Sequence, residues 1–100
     1  MHCPYEALAD LEEVLAEVRT WDHIRETAPG VFYVKRTPFL HFHVNKEGDR
    51  WADARCGKDW GKKLVIARPA GAAARKSFLA DVRRYFAETL AAVVKPSARR

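Results

Sequence analysis

The chain has 100 residues, 48% hydrophobic and 31% charged, which suits one soluble domain over 1–100 and excludes a disordered chain. Cys3 and Cys56 cannot build a disulfide framework, no apolar run approaches the ~20 residues of a membrane span, and the acidic start MHCPYEALADLEEVL lacks signal-peptide character, so a cytoplasmic address with no membrane partner is expected. The net charge of +5 is uneven: five acids and one arginine fall in the first 20 residues, while lysine and arginine dominate from Lys58, leaving nucleic acid or an acidic partner open.

Residues 4–19 place Leu8, Leu11, Leu15 and Val18 at helical spacing, with Val14 beside them. Pro4 suits the first turn, and Glu6, Asp10, Glu12 and Glu13 sit where the helix dipole favours anions. The helix is expected to end near Thr20 or Trp21, before a polar stretch DHIRETAPG. Four strand-like runs follow: 30–36 (GVFYVKR), 38–45 (PFLHFHVN), 50–56 (RWADARC) and 62–68 (KKLVIAR). Such short links imply an antiparallel meander rather than βαβ units. From Ala72 to Val94 the helical period returns, with Leu79, Val82, Phe86, Leu90 and Val93 on one face and Phe78 on its flank. Pro96 stops it, and order is expected over about 4–95, ahead of a basic tail at 96–100.

The expected fold is therefore α+β, of order α-β-β-β-β-α: a two-layer sandwich with a four-stranded antiparallel meander and both helices on one face. That order resembles the layout of frataxin-like domains, a likeness of layout alone.

The tetrapeptide Asn45-Lys46-Glu47-Gly48 suits a three-residue hairpin loop closed by a left-handed glycine. It sets the register, with Val44 opposite Arg50, and pairs Phe42 with Ala52 and Leu40 with Ala54 on the core side. On the outer side it pairs His43 with Trp51, His41 with Asp53 and Phe39 with Arg55. A slip of one residue would bury Asp53 or expose Phe42. On the first strand Phe32 and Val34 are expected in the core, with Val31, Tyr33 and Lys35 outside and Tyr33 beside His41. Leu64 and Ile66 are the expected core pair of the fourth strand.

Tyr33, His41, His43, Trp51, Asp53 and Arg55 thus form the candidate ligand-binding face. Four functions are open to it. His41, His43 and Asp53 have the composition of a two-histidine, one-carboxylate iron, zinc or manganese site. With Glu47 they resemble the HxHxxxE motif of cupins, but Lys35 and Ala54 replace that motif's glycines and Glu47 falls in the turn. His41 oriented by Asp53 has the makings of a general base, its pKa raised by the carboxylate. No nucleophile accompanies it, because Cys56 faces the helices by parity, and an enzyme is the weaker reading. Arg50, Arg55, Lys35, Lys58, Lys62 and Lys63, with Trp51, Tyr33 and Phe39 for stacking, suggest single-stranded nucleic acid. The leading expectation is a non-enzymatic binding or assembly module using the His/aromatic face, with a homodimer as one outcome and no cofactor implied.

The run GVFYVKRTPFLHFHVNKEGDRWADARCG is similar to the centre of short bacterial proteins of unknown function, in which a GVFY-type strand leads into FLHFH and then ADxR. The resemblance implies a bacterial, cytoplasmic origin and no particular activity.

Overall fold

A computed structural model describes residues 4–93; Cys3, Val94 and the expected basic tail at 96–100 lie outside the described residues. A 3-10 segment, Tyr5–Leu11, runs into α1, Glu12–Arg19. The strands are β1 (Ile24–Ala28), β2 (Val31–Val34), β3 (Thr37–Val44), β4 (Arg50–Cys56), β5 (Asp59–Trp60) and β6 (Leu64–Val65), followed by α2 (Ala72–Val93). The class is α+β and the sheet antiparallel, but among the described residues it has six strands rather than four. They run β1-β2-β3-β4-β5, with β6 also pairing with β4.

Periodicity missed two strands, the short β5 and β1, which lies inside the stretch expected to be a polar loop. Its sequence IRETA alternates half-buried and exposed residues, but Ile24 is its only large apolar side chain. Arg, Glu and Ala have weak strand preference, and charge is characteristic of a sheet edge. Ala28 pairs with Val31 across Pro29-Gly30, and Gly30 has φ +75°. A Cβ there would stand 2.6 Å from the Leu8 side chain, so the hairpin needs glycine twice over. The fourth expected run is reduced to Leu64–Val65, which pairs with Ala52 and Trp51. Ile66 is buried just past its end, and Leu64 packs against the core.

A second correction concerns Phe39. Phe32 pairs with Leu40 but Tyr33 with Pro38, so β3 carries one extra residue there. An inserted residue turns a side chain to the opposite face. Phe39 is accordingly buried with Leu40, and its ring meets Phe86 edge-on at 5.8 Å. The tight turn at Lys35-Arg36, where Val34 pairs with Thr37, sets Tyr33 between Arg25 and Pro38, not opposite His41.

One buried cluster unites Leu8, Leu11, Leu15 and Val18 with Phe32, Val34, Leu40, Phe42, Ala52 and Ala54 of the sheet and Phe78, Val82 and Phe86 of α2. Phe42 lies 5.7 Å from Phe78 and Trp21 lies 5.0 Å from Phe86, ring centre to ring centre. Burying each such side chain is worth roughly 1.5–3 kcal/mol. The buried side of α2 is turned from the expected stripe: Phe78, Val82, Tyr85, Phe86 and Thr89 are covered, while Leu79, Leu90 and Val93 are only partly so. The reason is polar. Thr89 donates its hydroxyl to the Arg55 carbonyl at 2.7 Å and accepts the Gly57 N–H at 3.1 Å, which ties α2 to the end of β4.

The inner side of β4 also carries Arg50, whose side chain is fully buried. Its guanidinium donates to both Asp10 carboxylate oxygens (2.7 and 2.9 Å) and to the carbonyls of Ala7, Ile66 and Ala67 (2.7, 3.1 and 2.8 Å). Asp10 also accepts the Ala70 N–H at 2.6 Å. Hydrogen bonds from Arg50 hold the Asp10 carboxyl down at about 2 against the opposing effect of burial. The 3-10 segment is the stretch whose Ala7 carbonyl and Asp10 carboxylate are committed to Arg50. The helix becomes α only after it.

Candidate functional site

The outer side of β3 and β4 is positioned by the turn between them. Gly48, at φ +89°, donates its N–H to the Asn45 carbonyl at 3.0 Å. Asn45 and Asp49 close the loop through backbone and side chain: the Asp49 N–H reaches Asn45 Oδ1 at 2.9 Å. The register is the one implied by the turn, with His41 opposite Asp53 and His43 opposite Trp51. Alternation puts all four side chains on the face away from the helices.

There Asp53 Oδ2 lies 2.9 Å from His43 Nε2 and 3.6 Å from His41 Nε2. The imidazole rings meet edge-on, centroids 4.7 Å apart. Each histidine is braced by a tryptophan. His43 stacks on Trp51 at 5.2 Å and 22°, and His41 meets Trp60 at 5.1 Å, edge to face. Each tryptophan in turn lies under a cation, Lys63 Nζ 4.8 Å from Trp51 and the Arg55 guanidinium 4.6 Å from Trp60.

The three polar side chains are about one-third exposed, at 30%, 27% and 34% for His41, His43 and Asp53, so they line a shallow, open site. Within it His43 Nε2 is shut off from water and makes no hydrogen bond. It stands 2.9 Å from Asp53 Oδ2 without meeting the geometry of a hydrogen bond. Burial, helped by the charge of His43, lowers the pKa of His41 and outweighs Asp53, which pulls the other way. The carboxylate raises it as expected, but the net shift is downward.

Of the six candidate residues, His41, His43, Trp51 and Asp53 come together, and Arg55 joins them through Trp60. Tyr33 does not sit opposite His41. Arg55 donates to the carbonyls of Pro38 (2.7 Å) and Lys58 (2.9 Å), fastening β3 to the β4–β5 hairpin. Trp60 was missed because GKDWGKK reads as a polar loop. Its signal was Gly57, at φ +78°, which lets the chain fold back so that Trp60 pairs with Arg55. Gly61 then passes Tyr85 so closely that an added Cβ would stand 2.6 Å from the ring.

The nucleic-acid reading loses two supports. Arg50 is interior, and Phe39 is in the core. Trp51 and Trp60 have cations or histidines against their rings, which leaves less free π-surface for bases. Cys56, the only free thiol among the described residues, is half-buried against the core rather than beside His41.

Comparison with family models, curated proteins and solved structures finds no match for this chain. Among the described residues no helix is long and apolar enough to cross a membrane.

Proposed function

We propose that the protein is a non-enzymatic binding module whose ligand sits on the outer sheet face, held by His41, His43 and Asp53 between the rings of Trp51 and Trp60. One observation carries this reading: His43 Nε2 is withdrawn from water with no hydrogen-bond partner. A buried polar atom left unpaired costs on the order of 1–3 kcal/mol, which a purely structural surface has no reason to bear. The cluster holds a base and a carboxylate but no hydroxyl or thiol, which favours binding over acyl transfer.

The short bacterial proteins with a GVFY…FLHFH…ADxR core are the proposed relatives. His41, His43, Asp53 and Arg55 all fall within those motif segments. A cytoplasmic location belongs to the same proposal.

The test needs no ligand. His43→Phe keeps a flat ring against Trp51 and removes the orphaned nitrogen. Its unfolding midpoint is expected to rise, by about 1 kcal/mol in stability. A midpoint that falls instead would make His43 a structural residue and end this reading.

A further inference from the structure

We propose that the ligand of this face is a divalent transition-metal ion, bound by His41, His43 and Asp53 from three corners with its remaining positions open to solvent. The inference rests on the reading of the face as a binding site and names its chemical class.

Geometry is the first argument. One donor atom from each of the three residues lies within 4.8 Å of the other two. With metal–nitrogen and metal–oxygen bonds of roughly 2.0–2.2 Å, donors stand about 3.0 Å apart at right angles and about 3.4 Å apart at tetrahedral angles. Asp53 Oδ2 already lies 2.9 Å from one Nε2 and 3.6 Å from the other. Those two separations bracket the required ones, and the two histidine donors, which lie within 4.8 Å of each other, come to the required distance by side-chain torsion.

The second argument is the unpaired nitrogen. Nε2 of a neutral imidazole carries a lone pair when the proton is on Nδ1, and His43 Nε2 offers that atom to no protein donor. A metal ion satisfies it and joins it to Asp53, 2.9 Å away, through two bonds to a shared centre.

The third is rigidity. His41 and His43 alternate on one strand, Asp53 is fixed opposite His41 by the ladder, and Trp60 and Trp51 brace the two rings. Sites on strands with braced side chains hold their geometry better than sites on loops.

Donor chemistry selects the class of ion. Two imidazoles and one carboxylate suit zinc, cobalt, nickel, copper, iron or manganese, whereas magnesium and calcium prefer all-oxygen shells.

The experiment uses tag-free full-length protein, stripped with chelator and titrated with Zn2+ by calorimetry and with Co2+ by visible absorption. One ion per chain is expected, with Co2+ ligand-field bands. Asp53→Ala, His41→Ala and His43→Phe should each weaken Zn2+ binding at least tenfold. His23→Asn, which tolerates the φ of +69° found at that turn, should leave it unchanged. His43→Phe retains the packing against Trp51, and its circular dichroism separates lost metal from lost fold. No binding, or several weak sites that survive His43→Phe, overturns the metal assignment. If His43→Phe still raises stability in that case, the face remains a binding site for another ligand. If it lowers stability, both proposals fall.

Discussion

Two polar clusters lie back to back on β4, three residues apart, and they differ in one respect. On the inner side every direction of the Arg50 guanidinium is used: two bonds to Asp10, three to carbonyls from the N-terminal segment and the chain after β6. On the outer side Asp53 draws two histidines near, yet His43 Nε2 is left unpaired. A saturated network rigidifies; an unsaturated one has capacity to spare. On the proposed reading, the comparison separates a charge kept for the fold from a group free to take a ligand, although Arg50 and Asp53 are charged side chains of the same strand.

The largest effect that would break this contrast is on the inner side. Arg50→Met keeps the stem's bulk but strands Asp10 and three carbonyls in the interior. Losing one partner of a buried pair costs about 3–5 kcal/mol, a large part of the 5–15 kcal/mol typical of a whole domain. Urea denaturation should show a midpoint lowered accordingly. A loss below about 1 kcal/mol would mean that the inner network is as dispensable as the outer one.

Acid should sharpen the same contrast at about half that size. The folded Asp10 carboxyl titrates at about 2 instead of 3.8, so the unfolded chain takes up its proton first as the pH falls. The resulting stabilisation is complete above about pH 4 and disappears as the pH falls through 2, roughly 2 kcal/mol in all. Asp10→Asn should be less stable at neutral pH and lose less between pH 4 and 2 than the parent chain. Equal acid slopes in the two proteins would detach Asp10 from the linkage.

How legible these clusters were from sequence follows from what each depends on. The outer one rests on a local turn and on strand alternation, so NKEG was enough to set His41 against Asp53 and His43 against Trp51. The inner one joins residues 40 and more positions apart, and although alternation turns Arg50 to the same side as Ala52 and Ala54, nothing local names Asp10 as the partner that would let a charge stay there. Phe39 was misplaced for a related reason: its inward turn comes from a register shift against β2, which the spacing of β3 alone cannot contain. β1 escaped because an edge strand with one large apolar residue has almost no period, although the Pro29-Gly30 turn beside it was visible. The turned face of α2 depended on a threonine whose partners, Arg55 O and Gly57 N, belong to another element.

The smallest effect concerns the cations over the tryptophans. If the outer face is built for a ligand rather than for the fold, Lys63 contributes little beyond its contact with Trp51, because a cation–π pair at a wet surface is worth about 0.5–1 kcal/mol. Lys63→Ala should therefore shift the unfolding midpoint by no more than that while changing Trp51 fluorescence, since the ammonium lies 4.8 Å from its ring. Zn2+ affinity should hold or rise slightly, because a neighbouring positive charge opposes a divalent ion. A destabilisation approaching that of Arg50→Met would give the outer face the same structural weight as the inner one, and the distinction between the two sides of β4 would not stand.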